Sequence, residues 1–201
     1  MTAIIDYGMG NIHSVRKALS MLGAETIVVN NAEGIKKCDK VVLPGVGAFD
    51  DAVLELQRQG LMPALQEHIK NKKIFLGICL GMQLLFEKSQ EGVLTQGLGI
   101  LKGSVKKLEA KNLKVPHMGW NQLKIKNADC PLFNGLADNS YVYFCHSYYP
   151  VPSDGNVSAA ITEYGIDFSS IVWQDNVYGV QFHPEKSQEV GLAVLKNFIK
   201  L

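Results

Sequence analysis

The chain has 201 residues, of which 47% are hydrophobic and 19% charged, and its formal net charge is +1. This length fits one domain with a sizeable buried core, so we expect a single domain over residues 1–201. The balanced charge argues against a nucleic acid or a membrane surface as a partner, and no apolar run approaches the roughly 20 residues that cross a bilayer.

The composition indicates neither secretion nor a metal site. The apolar start at Ala3–Ile5 is too short for a signal peptide, because Asp6 interrupts it. The cysteines show neither C-x-x-C spacing nor the density of a disulfide scaffold, which favours a reducing cytoplasm. The five histidines are scattered and form no H-E-x-x-H motif, so we expect neither a metal nor a cofactor.

Strand and helix signals alternate through the first half of the chain. Short apolar runs predict strands at Ala3–Ile5, Thr26–Val29, Val41–Leu43 and Ile74–Ile78. Amphipathic spacing predicts helices at Ile12–Leu22, Asp51–Gln59, Pro63–Lys70 and Leu80–Lys88. Such alternation is typical of a parallel sheet with helices on both faces.

The second half is richer in strand signals and ends in a predicted helix at Glu189–Phe198. The predicted strands are Val105–Leu108, Gln122–Ile125, Tyr141–Cys145, Val157–Ile161, Ser170–Trp173 and Val177–Phe182. The sequence therefore predicts an α/β fold with an open, mostly parallel sheet, helices on both faces and an antiparallel β extension.

Two glycine-containing loops follow predicted strands of the first half. Asp6–Asn11 partly matches a dinucleotide-binding fingerprint, but the third glycine is missing, so a nucleotide site is the weaker interpretation. In Pro44–Gly47, backbone N–H groups can turn toward a ligand and form an oxyanion hole. The alternative is a plain turn. Ligands of open α/β sheets bind at the carboxyl ends of the strands, which favours the oxyanion hole.

The run Ile74–Phe86 is the most informative segment of the chain. A buried strand turns through Gly77–Gly81 into a helical pattern, which is the arrangement of a nucleophile elbow with Cys79 in place of serine. A helix N-terminus favours a thiolate, and the N–H of Leu80 is a candidate oxyanion donor. The alternative is a buried core thiol, because free cysteines are among the most buried residues.

A candidate base follows the last predicted strand. His183 can accept the thiol proton of Cys79, and Glu185 can orient the imidazole across Pro184. The alternative is a strand-end histidine beside a solvated glutamate. Since a cysteine nucleophile needs both a base and an orienting group, the elbow and this segment together are more specific than either alone.

With these residues in hand, the chain resembles the class I, triad-type glutamine amidotransferases. Gly77–Gly81 and His183–Glu185 match the marks of that family. Among its branches, five motifs are most similar to the glutaminase subunits that supply ammonia to a cyclase of histidine biosynthesis. These motifs are Asp6–Asn11, Pro44–Gly47, Cys79–Phe86, Pro116–Asn121 and His183–Ser187.

The resemblance implies hydrolysis of L-glutamine to glutamate and ammonia by Cys79, His183 and Glu185. It implies a heterodimer with a (β/α)8-barrel cyclase subunit, which uses the ammonia to make imidazole glycerol phosphate. The oxyanion donors would come from Gly45, Val46, Gly47 and Leu80. By resemblance, the α-amino and α-carboxylate groups of glutamine are held by Gln83, Glu91, His146, Ser147 and Tyr148.

The partner surface is predicted near the mouth of the site, because Lys186 directly follows the triad glutamate. Trp120, in a predicted loop at His117–Asn121, is either an interface anchor or a half-buried core residue. For Lys186 and Glu91 the alternative is an ordinary solvated side chain. The predicted interface residues are Asn11, Trp120, Asn121, Tyr143 and Lys186.

Three other functions compete with this interpretation. One is a glutaminase subunit of another synthase, such as that of vitamin B6 synthesis, although those enzymes usually carry Gly-Gly-Glu-Ser where this chain has Gly45-Val-Gly47. The second is a cysteine hydrolase that acts alone. The third is a silent regulatory module, against which the intact Cys79, His183 and Glu185 argue.

Overall fold

A computed structural model of the chain describes residues 1–92, 96–110 and 113–201. The described strands are β1 (Thr2–Ile5), β2 (Thr26–Val29), β3 (Lys40–Gly45), β4 (Ile74–Cys79), β5 (Phe86–Ser89), β6 (Leu101–Lys107), β7 (His117–Gln122), β8 (Lys124–Ile125), β9 (Tyr141–His146), β10 (Tyr148–Pro152), β11 (Ser158–Glu163), β12 (Asp167–Gln174) and β13 (Val177–Val180). The described helices are α1 (Ile12–Met21), α2 (Ala32–Lys36), α3 (Phe49–Arg58), α4 (Leu61–Lys70), α5 (Leu80–Gln83) and α6 (Gln188–Lys200).

The main sheet has eight strands in the order β2-β1-β3-β4-β13-β12-β11-β8. The first five strands of this order run parallel to one another. The remaining three add in antiparallel fashion. The predicted α/β fold with an antiparallel extension is therefore confirmed. Two smaller sheets, β10-β6-β5 and β7-β9, lie beside it.

Helices cover both faces of the main sheet, as the alternation of strand side chains requires. In β1, Ile5 packs into the core that contains residues of α3 and α4. Its neighbour Ile4 packs into the opposite core, with residues of α1 and α6. The apolar stripe of α1, formed by Val15, Ala18 and Leu19, is buried there, which is the i, i+3, i+4 spacing of an amphipathic helix.

The helix predicted over Leu80–Lys88 is wrong beyond its first turn. It ends at Gln83, and Phe86–Ser89 forms β5. The carbonyls of Leu84 and Leu85 accept from the N–H groups of Leu98 and Ile100, so a returning segment takes the place of the next helical turn. Tertiary hydrogen bonds override the helical pattern here.

The segment His117–Asn121, predicted as a loop, is instead part of strand β7. It pairs antiparallel with β9 along its whole length. The sequence predicts no element at α2 or β10. Among the described residues, none of the helices combines the length and the apolar character needed to cross a bilayer.

Candidate active site

Three parallel strands deliver the predicted catalytic segments to one edge of the sheet. Gly45 at the end of β3 lies in register with Cys79 at the end of β4, and β13 pairs with the other side of β4 and leads into His183. A cleft of about 330 Å³ lies there. It is lined by Val46, Gly47, Cys79, Leu80, Gln83, Glu91, Pro116, Cys145, His146, Ser147, Tyr148, His183 and Lys186.

The turn that carries Cys79 is a strained elbow. Cys79 has φ 54° and ψ −108°, a region that costs a non-glycine residue roughly 1–3 kcal/mol. Its flanking glycines allow close backbone approach: a Cβ on Gly77 would lie 2.5 Å from the Gly81 oxygen, and one on Gly81 would lie 1.8 Å from the Leu43 oxygen. The sulfur faces a cleft, so Cys79 is not a plain core thiol.

His183 and Glu185 form the pair that a cysteine nucleophile needs. His183 Nδ1 lies 3.0 Å from Glu185 Oε1, and the two side chains are only 5% and 1% exposed. Burial lowers the pKa of His183, but hydrogen bonds to the Cys79 side chain and to Glu185 outweigh it and raise that pKa to about 10. A protonated imidazole beside a cysteine is the setting in which a reactive thiolate forms.

Two further groups surround the sulfur of Cys79. The Cys145 carbonyl oxygen lies 3.9 Å from Sγ, and Gln181 Nε2 donates to Sγ over 3.6 Å. Gln181 is fully buried and was not predicted from the sequence. The available signal was its position two residues before His183, because alternate residues at the end of a strand share a face.

The loop after β3 has one backbone donor engaged away from the cleft. The N–H of Val46 donates to the Met9 carbonyl over 3.1 Å, so it is not available as an oxyanion donor in this conformation. Gly45 lies behind the cleft wall, where an added Cβ would be 2.6 Å from the buried hydroxyl of Tyr7. Gly47, with φ +104°, lines the cleft.

Glu91 is not an isolated, solvated carboxylate. Its Oε2 accepts from the N–H of Phe49 over 2.9 Å, at the first residue of α3. Burial raises the pKa of Glu91, and the Phe49 bond works against that rise. A helix N-terminus stabilises a carboxylate, so this contact ties the cleft wall to α3.

A network of hydrogen bonds runs from the predicted partner face to the segment predicted to bind substrate. His146 Nδ1 donates to the Tyr148 carbonyl over 2.9 Å, because a carbonyl can only accept. His146 Nε2 then accepts from His117 Nδ1 over 3.1 Å, and His117 Nε2 accepts from Asn121 Nδ2 over 3.4 Å. The sequence does not predict this position of His117, because its segment has the pattern of a loop.

These hydrogen bonds require the imidazoles of His117 and His146 to be neutral. Burial lowers the pKa of His117 to about 4. Burial and the neighbouring His117 lower the pKa of His146 to about 3. In the unfolded chain both side chains titrate near their ordinary pKa of about 6.5, so below that pH the unfolded state binds more protons than the folded state.

We therefore expect the melting temperature to fall as the pH drops from about 6.5 toward 4. His183 acts in the opposite direction, because its raised pKa contributes stability that is lost as the pH rises toward 10. Thermal melts across this range measure both limbs. His117→Phe should flatten the acid limb, whereas His13→Asn, a change at an exposed histidine, should leave it intact. An unchanged acid limb in His117→Phe would contradict the neutral pair.

Of the predicted interface residues, Lys186 lines the cleft. Trp120 is 46% exposed and belongs to neither of the two core clusters. It pairs across strands with Tyr143, whose ring lies 6.1 Å away. Lys186 is exposed and lies 6.0 Å from the Tyr143 ring centroid. Asn121 is partly exposed on the same strand as Trp120, and Asn11 caps α1 by accepting from the Ser14 N–H.

Comparison with known proteins places this arrangement in a family. Residues 3–201 match the model of the class I glutamine amidotransferases. The chain is 51% identical over 198 residues to the imidazole glycerol phosphate synthase subunit HisH of Caldanaerobacter subterraneus subsp. tengcongensis, covering 98% of this chain and 97% of that protein. It is 50% identical over 198 residues to the subunit of the same name from Bacillus cereus strain B4264, covering 98% and 93%.

Solved structures share the fold at lower sequence identity. PurLQS from Thermotoga maritima aligns with a TM-score of 0.79 at 19% identity, covering 99% of this chain and 97% of that one. The glutaminase domain of Trypanosoma brucei CTPS with bound acivicin aligns with a TM-score of 0.68 at 15% identity, covering 99% and 93%. The chain belongs to the class I glutamine amidotransferases and, within them, to the HisH subunits of imidazole glycerol phosphate synthase.

Proposed function

We propose that Cys79, His183 and Glu185 hydrolyse L-glutamine, and that the ammonia passes to a cyclase subunit that makes imidazole glycerol phosphate in histidine biosynthesis. The observation that carries this proposal is the His183–Glu185 pair beside a cysteine on a strained elbow. The relatives named as HisH subunits support the choice of reaction over vitamin B6 synthesis and over a hydrolase that acts alone.

The chemistry follows from these positions. His183 holds the proton of Cys79, and the thiolate attacks the side-chain amide carbon of glutamine. The C=O electrons move onto oxygen, and the N–H of Leu80 stabilises the oxyanion together with an N–H from Gly45–Gly47. His183 protonates the departing nitrogen, the C–N bond breaks and ammonia leaves. His183 then activates a water that hydrolyses the thioester, and the Cys79 thiolate is restored.

The remaining cleft residues hold the amino-acid end of glutamine in this proposal. They are Gln83, Glu91, His146, Ser147 and Tyr148, all of which line the cleft. Gln83 uses its Nε2 on the Tyr148 carbonyl at 2.8 Å and on Gln181 Oε1 at 3.1 Å, so its own Oε1 is the atom that faces substrate donors. Glu91 offers the carboxylate that an α-ammonium group requires.

The loop at Pro44–Gly47 acts as a switch in this proposal. In its resting state the Val46 N–H is bonded to Met9. A peptide plane between glycines rotates at low cost, and a partner that binds the rotated state more tightly shifts the balance toward it. Rotation would free the Val46 N–H for the oxyanion.

We expect the purified chain alone to be a poor glutaminase, and the cyclase with its nucleotide ligand to stimulate it strongly. The measurement is glutamate release from glutamine by the chain alone, with the cyclase, and with the cyclase plus nucleotide. Equal rates in all three would reject the switch. Absence of glutamate release in all three, with a chain that melts cooperatively, would reject the proposed function.

The partner in this proposal is a (β/α)8-barrel cyclase that forms a heterodimer with the chain in the cytoplasm. It docks over the cleft mouth, because ammonia must pass between the subunits without entering bulk water. The docking surface comprises Asn11, Trp120, Asn121, Tyr143 and Lys186. A half-exposed tryptophan beside a tyrosine and a lysine has the composition of an interface anchor.

Trp120→Ala should weaken association with the cyclase by about 2 kcal/mol or more, because a central tryptophan is the most common hot spot of an interface. Titration calorimetry of the variant against the cyclase measures this loss. Met21→Ala is the control, since Met21 is 69% exposed on α1 and outside the surface. Lys186→Ala should reduce the stimulation of glutaminase activity by the nucleotide, while it changes the melting temperature little. If both variants keep wild-type affinity and stimulation, the interface lies elsewhere.

A further inference from the structure

Gln181 presents its carboxamide to the sulfur of Cys79. Its side chain is fully buried, and its Nε2 lies 3.6 Å from Sγ. A glutamine amide has two donors and one acceptor oxygen, so a buried one takes a fixed orientation only where its partners impose it. The contacts of Gln181 therefore decide whether an N–H or an oxygen faces the sulfur.

The orientation of Gln181 follows from a backbone carbonyl two contacts away. Gln83 lies 2.8 Å from the Tyr148 oxygen, which can only accept, so Gln83 must present Nε2 there. The same Nε2 lies 3.1 Å from Gln181, which must therefore offer its oxygen. Gln181 then has Nε2 directed at Cys79, and no other assignment satisfies all three contacts.

The backbone of Gln181 is held as firmly as its side chain. Its N–H donates to the Ser170 carbonyl over 2.9 Å, which extends the pairing of β13 with β12 past Val180. Strand pairing thus fixes the backbone of Gln181, and Gln83 fixes its carboxamide. A group held in this way acts on a developing charge without reorganising.

We propose that Gln181 is a further catalytic residue, which donates a hydrogen bond to the Cys79 thiolate before attack and again when the thiolate leaves the acyl intermediate. This rests on the proposed role of Cys79 as the nucleophile. Gln181 transfers no proton. The sulfur is anionic before attack and after hydrolysis of the thioester, and neutral in the thioester itself. An N–H donor therefore increases the fraction of Cys79 that is thiolate before attack and stabilises the thiolate as it leaves the acyl group.

The chemistry around the sulfur is divided among three groups. His183 supplies and removes the proton. The Cys145 carbonyl, 3.9 Å from Sγ, can accept only from the protonated thiol. Gln181 stabilises the deprotonated sulfur more than the thiol, because a donor gains most from a charged acceptor. His183 and Gln181 therefore favour the thiolate of Cys79, whereas the Cys145 carbonyl favours the protonated thiol.

The test uses the complex of the chain with its cyclase and compares Gln181→Met with wild type. Methionine keeps the length of the side chain and removes the donor. Alkylation of Cys79 by iodoacetamide is followed across pH by mass spectrometry of its peptide, beside glutamine-dependent turnover. Cys145, which also lines the cleft, reports in the same samples whether access of the reagent has changed.

We expect the alkylation profile of Cys79 in Gln181→Met to move about one pH unit higher, and turnover at neutral pH to fall about tenfold or more. Gln181→Glu should shift the profile further, because its carboxylate repels the thiolate while keeping the shape of glutamine. Gln181→Glu also provides the test if Gln181→Met fails to fold. Asn197→Leu is the control. It removes another buried carboxamide, which is bonded to the Leu132 and Asn134 carbonyls, and should lower only the melting temperature.

An unchanged alkylation profile and unchanged turnover in either folded variant would overturn this proposal. A profile that shifts equally in Asn197→Leu would also overturn it, because the effect would then report on general stability. The Cys79→Ala complex separates the two hypotheses. If it keeps glutamine-dependent turnover, the proposed function fails; if it is inactive while Gln181→Met behaves as wild type, only the role of Gln181 fails.

Discussion

Cys79→Ala in the complex with the cyclase should abolish glutamine-dependent synthesis and spare synthesis from added ammonia. Only the glutaminase half-reaction needs a thiolate, whereas the cyclase chemistry belongs to the partner subunit. Loss of a nucleophile removes most of the rate enhancement, which for such catalytic units is on the order of 10⁶. Product formation measured with glutamine and with ammonium salt gives the two rates.

The variant that tests the base is His183→Ala, which should behave like Cys79→Ala because the nucleophile and the base act as a unit. A double variant should therefore be no slower than either single one. Cys38→Ala is the matched control, since Cys38 is also fully buried but lies outside the cleft. Appreciable glutamine-dependent turnover in Cys79→Ala would remove Cys79 from the role of nucleophile.

Gly81→Ala should destabilise the chain severely although its position is helical. In a helix, alanine is normally favoured over glycine by about 1 kcal/mol. Here the added Cβ would lie 1.8 Å from the Leu43 carbonyl oxygen, a backbone atom that cannot rotate away. Moving β3 or the elbow should cost about 3 kcal/mol or more, a large part of a typical stability of about 5–15 kcal/mol.

Urea unfolding measures this loss, and glutamine turnover in the complex reports whether the elbow survives. Gly155→Ala is the control, because a Cβ there meets no atom within 4 Å and the backbone φ is ordinary. It should change the free energy of unfolding by no more than about 0.5 kcal/mol. Wild-type stability and turnover in Gly81→Ala would show that the elbow tolerates a side chain at this position.

Local patterns in the sequence were sufficient for the fold class and for the catalytic segments. The strands that carry the site are short buried runs. The elbow can be recognised in the sequence because only glycines at positions 77 and 81 leave room for the turn. Parallel strands that precede these segments bring their carboxyl ends to one edge. Cys79 and His183 could therefore be assigned to one site although about a hundred residues separate them.

Patterns of the same kind failed where long-range hydrogen bonds decided the structure. After Gln83 the sequence favours a longer helix, but the carbonyls of Leu84 and Leu85 are taken by the returning segment at Leu98 and Ile100. Strand β7 carries a tryptophan between a glycine and an asparagine and looks like a loop. Its pairing with β9 joins residues far apart in the chain, such as Trp120 and Tyr143.

The sequence by itself determined which residues could do the chemistry, since a cysteine between close-packed glycines and a histidine near a glutamate are local features. Only the tertiary structure decided how those residues are held. The contact of Gln181 with the sulfur, the neutral pair of His117 and His146 and the engagement of Val46 with Met9 all join segments far apart in the chain. Such contacts depend on the packing of strands and loops, which no local pattern encodes.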